Sequence, residues 1–153
     1  MNKLELKVPP PAVALLVALA MWLATYGSDA LSFAVPERRA VSMALAALGI
    51  GVSTAGTWSF WRARTTVNPT RPEATSSLVA TGIYRFTRNP MYLGLFLVLA
   101  GWAAHLANAA ALAGPLLFAL YVTRFQILPE ERALATKFGP EFDAYKIRTR
   151  RWI

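Results

Sequence analysis

From Asn89 to Thr123 the chain reads NPMYLGLFLVLAGWAAHLANAAALAGPLLFALYVT, with no lysine, arginine, aspartate or glutamate anywhere in the run. A helix needs about 20 apolar residues to cross a bilayer, so this stretch is nearly two crossings long. Its interior holds one polar dip, His105 and Asn108 among alanines. That pattern predicts a tight hairpin of two helices, Pro90 to Leu106 and Ala109 to Leu128.

Two further runs lack charge, Val8 to Ser28 and Ala40 to Trp61. Of the 153 residues 56% are hydrophobic and 16% charged, and the charges are clustered, which is a membrane composition. The expectation is an all-α integral membrane protein with about four transmembrane helices and a short helical C-terminal tail. Val8 to Ser28 follows Lys3 and Lys7 in the manner of a secretory signal. It is long for one and no cleavage site follows, so it is expected to be retained.

Lysine and arginine in short loops stay on the cytoplasmic side. With both termini cytoplasmic, that face carries Lys3, Lys7, Arg62, Arg64, Arg71, Arg85, Arg88, Arg124, Arg132, Lys137, Lys146, Arg148, Arg150 and Arg151. The other face keeps Arg38 and Arg39. Topology and anionic headgroups therefore account for the formal charge of +8, with no nucleic-acid partner required. The location expected is a multi-pass one, in the inner membrane if the source is bacterial.

The chain has no cysteine and one histidine, which excludes thiolate chemistry and a histidine-based metal cluster. His105 falls in the hairpin turn and reads as an interfacial turn residue. The remaining candidates for chemistry gather on the cytoplasmic side, in Thr81-Gly82-Ile83-Tyr84-Arg85-Phe86-Thr87-Arg88-Asn89-Pro90-Met91-Tyr92 and in Pro129-Glu130-Glu131. Asn89 before Pro90 is a helix start, and Gly82 a turn that redirects the chain ahead of it. Such a start either does no more than begin a helix or offers free N–H groups to a carboxylate or phosphate. Arg88 strengthens the second reading, and Tyr84 and Tyr92 add aromatic faces that attract a cation. Arg124 either snorkels to headgroups or holds a substrate anion.

The organisation expected is one membrane domain. Residues 1–61 form two scaffold helices, with Gly49, Gly51 and Gly56 at their contacts. Residues 62–153 form a loop broken by Asn68-Pro69 and Arg71-Pro72, the hairpin, and a tail from Pro129. The tail reads as two short helices opened by Pro129 and Pro140 and separated by Gly139, lying on the membrane with Arg148, Arg150, Arg151 and Trp152 at its far end.

The stretch Ser77 to Gly94, followed after the hairpin by Glu130-Glu131, Leu134, Phe138-Gly139, Glu141, Tyr145 and Arg151, resembles the C-terminal half of the isoprenylcysteine carboxyl methyltransferase and phospholipid methyltransferase family of integral membrane enzymes. The resemblance covers about Ser76 to Ile153. It implies S-adenosyl-L-methionine as cofactor, in a cytoplasmic pocket bordered by Ser76, Ser77, Leu78, Val79, Tyr84, Arg88, Asn89, Pro90, Met91, Tyr92 and Glu130. It places substrate contacts at Arg124 and Glu131, with no metal. Eukaryotic members of the family usually have histidine where this chain has Asn89, and a substrate-binding arginine where it has Gln126. Asparagine does not titrate near neutrality, so no histidine base is present there and no catalytic residue is assigned.

What the resemblance implies is methyl transfer to a lipophilic, membrane-dissolved substrate. Esterification of a carboxylate is the leading chemistry, because a carboxylate is already ionised at neutral pH. The alternatives are N-methylation of a phospholipid amine, an NADPH-dependent membrane reductase of related architecture, and a non-catalytic membrane scaffold.

Overall fold

A computed structural model describes residues 5–27, 30–64 and 77–153. Ser76 and the Asn68-Pro69 and Arg71-Pro72 breakers lie outside the described residues, as do Lys3 and Ser28. The described chain is all helical: α1 Pro10–Thr25, α2 Arg38–Arg62, α3 Pro90–Leu106, α4 Ala113–Val122, α5 Leu128–Phe138 and α6 Pro140–Arg148. Among the described residues there is no strand, only an isolated bridge between Ser32 and Asn108. Proline opens α1, α3 and α6, where its missing N–H would be unpaired in any case.

Two helical stretches, Arg38–Arg62 and Ala109–Phe138, are long and apolar enough to cross a membrane, while Pro10–Thr25 and Pro90–Leu106 are shorter apolar helices. Only 17% of the most apolar window of α2 is buried inside the protein, which is not how the core helix of a soluble domain behaves. Leu15, Leu16, Leu19, Met43, Leu48, Ile50, Leu117 and Leu120 all stand exposed. A greasy surface of this extent suits hydrocarbon and not water.

The helix α3 lies at the centre. It packs closely along α2 because glycines line the crossing. A Cβ on Gly49 would meet the carbonyl oxygen of Gly94 at 2.5 Å, and one on Gly101 would meet that of Ser42 at 2.8 Å. On its other side, Tyr92, Leu99 and Ala103 pack with Val13 and Met21 of α1 and with Phe118 and Val122 of α4.

The hairpin turn forms at the polar dip. Ala107 adopts a left-handed conformation, and the Asn108 side chain accepts from the Ala110 N–H. His105 stacks on Trp102, with ring centroids 5.3 Å apart. The link between α1 and α2 pairs with this turn through Phe33 N–H to the Ala107 carbonyl and Ala109 N–H to that of Leu31.

The tail differs from the expectation in two ways. Pro129 does not open a separate helix, because α4 runs through a π turn at Thr123–Ile127 straight into α5. A proline inside a helix leaves the carbonyl four residues back without its donor. That carbonyl is Phe125's, and the Leu6 N–H supplies the missing bond at 3.0 Å. The N-terminal segment thus completes the helix that proline would have ended. The far end of the tail, moreover, does not extend along a surface but folds back against the start of α3. Trp152 packs at 6.4 Å from Phe96.

Candidate active site at the start of the third helix

Between Ser77 and Asn89 the chain approaches α3 through a bend at Gly82, whose φ of +62° is open to glycine, and then a 3₁₀ turn at Gly82–Arg85. That turn carries Tyr84 inward. Its ring meets Phe60 of α2 edge-on at 5.3 Å, and its carbonyl accepts from the Tyr145 hydroxyl of α6 at 2.7 Å. Val79 and Leu78 close the same cluster with Phe142. Burial pushes the Tyr84 hydroxyl well above its ordinary pKa, and the nearby charges of Tyr145 and Glu130 add to the rise. The phenol therefore stays neutral and close to Glu130.

The next three residues hold the C-terminus. The Arg88 N–H donates to the Arg150 carbonyl at 3.0 Å. Thr87 Oγ1 and Asn89 Nδ2 both donate to the Arg151 carbonyl, at 3.3 and 2.9 Å. Asn89 is therefore a docking residue and not the side-chain cap its position suggests. Its own N–H donates to Thr87 Oγ1 at 3.1 Å, and its side chain does not cap the first turn of α3. Asn89 thus leaves the first N–H groups of α3 without a cap from its side chain, in the place where a helix favours an anion.

Glu131 ties this arrangement together. Its carboxylate receives Arg88 Nη2 at 2.8 Å and Nε at 3.3 Å, and Arg151 Nη2 at 2.6 Å and Nε at 3.1 Å. Arg88 Nη1 also donates to the carbonyls of Lys146, at 3.3 Å, and Thr149. The Glu131 partner holds the Arg151 guanidinium above its ordinary pKa.

Glu130, one position earlier, is arranged differently. Tyr92 Oη donates to Glu130 Oε1 at 2.5 Å, and no ion pair is made by Glu130 among the described residues. A partly buried carboxylate with a phenol and no cation for company is an incomplete electrostatic pair.

The residues expected around a cofactor thus divide. Tyr84, Tyr92, Glu130 and the start of α3 converge, with Leu78 and Val79 behind Tyr84. Pro90 and Met91 face α2 instead: the Met91 carbonyl accepts from Ser53 Oγ at 3.1 Å, and both side chains abut Gly56. Ser77 is half-buried on the approach. Of the two expected substrate contacts, Glu131 sits in the clamp and Arg124 points the other way, donating to Glu5 at 3.0 Å, where Arg132 joins it at 2.8 Å. Gln126 is fully buried, its amide donating to the Val8 carbonyl at 2.7 Å.

Thr87 and the Arg151 backbone were not expected to be in contact. The only hint in the sequence was the cluster of basic residues at the C-terminus. No group of three or more metal-ligating side chains occurs among the described residues.

A family model described as phospholipid methyltransferase matches residues 38–141. The chain belongs to that family. Membership implies methyltransferase activity at a membrane, and the match runs from the first residue of α2 to the first turn of α6. The family signal therefore begins in α2, which by sequence alone read only as scaffold. The chain is also similar to an uncharacterized protein of Haemophilus influenzae, 44% identical over 63 residues, which are 41% of this chain and the whole of that protein. No solved structure matches the chain.

Glu131→Ala strands two arginines that are only partly exposed, and breaking such a pair costs about 3 kcal/mol. The expected result is a lower melting temperature in detergent and faster proteolysis between Phe138 and Ile153. A melting temperature equal to wild type would remove Glu131 from the role of clamp.

Proposed function

We propose that the protein is an S-adenosylmethionine-dependent methyltransferase that acts on a lipophilic acceptor dissolved in the membrane. The observation that carries this reading is Glu130, fixed by Tyr92 beside the start of α3 and making no ion pair among the described residues. Adenosylmethionine presents a carboxylate, an ammonium, ribose hydroxyls and a sulfonium. The N–H groups at the start of α3 suit the first, Glu130 the second or third, and the neutral rings of Tyr84 and Tyr92 the last. When bound, the cofactor supplies an electrophilic methyl group. The protein's own residues hold it, keep water away through Val79, Leu78 and Phe142, and align the acceptor.

The acceptor chemistry follows from the arginines. Arg124, which the sequence offered as an anchor for a substrate anion, and Arg88, which it offered for a cofactor anion, each already hold a carboxylate of the chain itself. Arg88 holds Glu131 and Arg124 holds Glu5. This favours an amine acceptor over the carboxylate that led the reading of the sequence. A scaffold without activity or a reductase that takes NADPH is a weaker match to a site whose Arg88 is already paired with Glu131.

In the bilayer, the reading places four crossings at α1, α2, α3 and the α4 rod, with the active site and both termini cytoplasmic. Exposed aromatic pairs support it. Trp22 and Tyr26 sit 5.1 Å apart at the end of α1, and Trp58 and Trp61 sit 4.8 Å apart at the end of α2, as at two interfaces.

Calorimetry on purified protein is expected to show binding of adenosylmethionine and its demethylated product, with no response to NADPH. Glu130→Ala and Tyr92→Phe should each weaken binding by about tenfold, the effect of losing a hydrogen bond to a charged group. Absence of heat with either nucleoside would sink the proposal. With methyl-labelled adenosylmethionine and a total lipid extract, the labelled product should survive mild base, as an amine does. A base-labile product would restore the carboxylate. Because the chain has no cysteine, Arg39→Cys and Arg148→Cys are clean reporters. A membrane-impermeant maleimide should reach the first in intact cells and the second only after permeabilisation, and the reverse pattern would invert the topology.

A further inference from the structure

The helical rod that carries Glu130 is not uniform. At Thr123–Ile127 it makes a π turn, in which the Leu128 N–H reaches the Thr123 carbonyl five residues back instead of the usual four. A π turn absorbs one extra residue, so every side chain after it is turned back by one step, about 100°. In an uninterrupted helix Pro129 would stand where Glu130 now meets Tyr92, and Glu130 would take the place of Glu131 between the arginines. The register of this one turn therefore decides which side chain the candidate site receives.

The residues that hold the turn come from the segment ahead of α1. The Glu5 carboxylate, only 4% exposed, receives Arg124 on Oε1 at 3.0 Å and Arg132 on Oε2 at 2.8 Å. One of these arginines lies inside the π turn and the other beyond it, eight positions along. Eight α-helical steps would leave them about 80° out of line. With one step absorbed, the remaining seven complete two turns to within about 20°, and both guanidiniums come to one face. A single carboxylate that grips both thus favours the π-turned register over the uninterrupted one.

Two backbone contacts act in the same sense. The Leu6 N–H supplies the Phe125 carbonyl at 3.0 Å, and Gln126 Nε2 donates to the Val8 carbonyl at 2.7 Å. Leu6 takes a φ of +59° to make its bond, a conformation that a residue other than glycine keeps only where its surroundings enforce it. Val8 then packs on the core cluster that contains Val122 and Ile127, at the two ends of the turn.

We propose that Glu5 and Leu6 are positioning residues for the candidate site, which clasp the π turn and so select the register in which Glu130 faces Tyr92. The inference rests on the methyltransferase reading for the chemistry that Glu130 serves, though not for the register itself. It makes the segment before α1, which touches none of the residues expected around the cofactor, a determinant of how tightly the cofactor is held.

Because the chain has no cysteine, introduced pairs report the register directly. Dibromobimane, which fluoresces once it joins two thiols, is expected to join Tyr92→Cys to Glu130→Cys in preference to Pro129→Cys. Glu5→Ala should reverse that preference, and deletion of Arg124, which takes the extra residue out of the turn, should restore it in the Glu5→Ala background. Glu5→Gln removes the charge at constant size and carries the same test if Glu5→Ala does not fold. Without the introduced cysteines, Glu5→Ala should weaken adenosylmethionine binding about tenfold, as Glu130→Ala does, and no further when Glu130→Ala is already present. An equal loss in both backgrounds would reduce Glu5 to a packing role and overturn the proposal. A joining preference that Glu5→Ala leaves unchanged would overturn the register assignment whatever the protein binds. A reversed preference in a protein that binds no adenosylmethionine would uphold the register and reject the cofactor reading.

Discussion

Glu131 lies between two arginines that come from the loop before α3 and from the last three residues of the chain. Two cations and one anion gathered at low exposure are costly to desolvate, and they are tolerable only when every charge has a partner. Here each does, because Arg88 also donates to two carbonyls of the tail. The geometry of the candidate site follows from this. With the tail held by Arg88, Thr87 and Asn89, α6 is pressed onto Tyr84, and Tyr84 is kept near Glu130.

The neighbouring carboxylates illustrate how one turn of helix separates structure from chemistry. Glu131 faces the arginines and is neutralised by them. Glu130 faces Tyr92, receives one hydrogen bond from its hydroxyl, and stands outside the arginine clamp, with burial pushing its pKa up to about 8. The same sequence pair, Glu-Glu after proline, therefore supplies both a clamp and a carboxyl group that stands outside it. The π turn before Pro129 matters in the same way, since it carries the α4 rod into α5 and so brings both glutamates to the start of α3.

The site lies where polar backbone meets apolar helices. This division suits a reaction whose two participants prefer different phases. On the proposed reading, a charged nucleotide is met by helix-start N–H groups, a carboxyl group and aromatic rings. Gly49, Gly94 and Gly101 contribute by letting α2 approach α3 closely.

By itself the sequence determined the helices and the turn between α3 and α4. Runs without charge, proline at first positions, glycine at Gly82 and Gly139, and the His105–Asn108 dip act over a few residues each, and local physics reads them without help. It also pointed to Tyr84, Tyr92 and Glu130, through a motif pair shared with a family. Tertiary structure alone decided what Asn89, Arg88, Glu131 and Arg151 do, since their partners are backbone carbonyls and charges more than forty positions away in most cases. It alone decided that Pro129 continues a helix, because the compensating donor, Leu6, comes from the opposite end of the chain. A hydrogen bond between distant segments leaves no periodic trace in a sequence, whereas burial along a helix does.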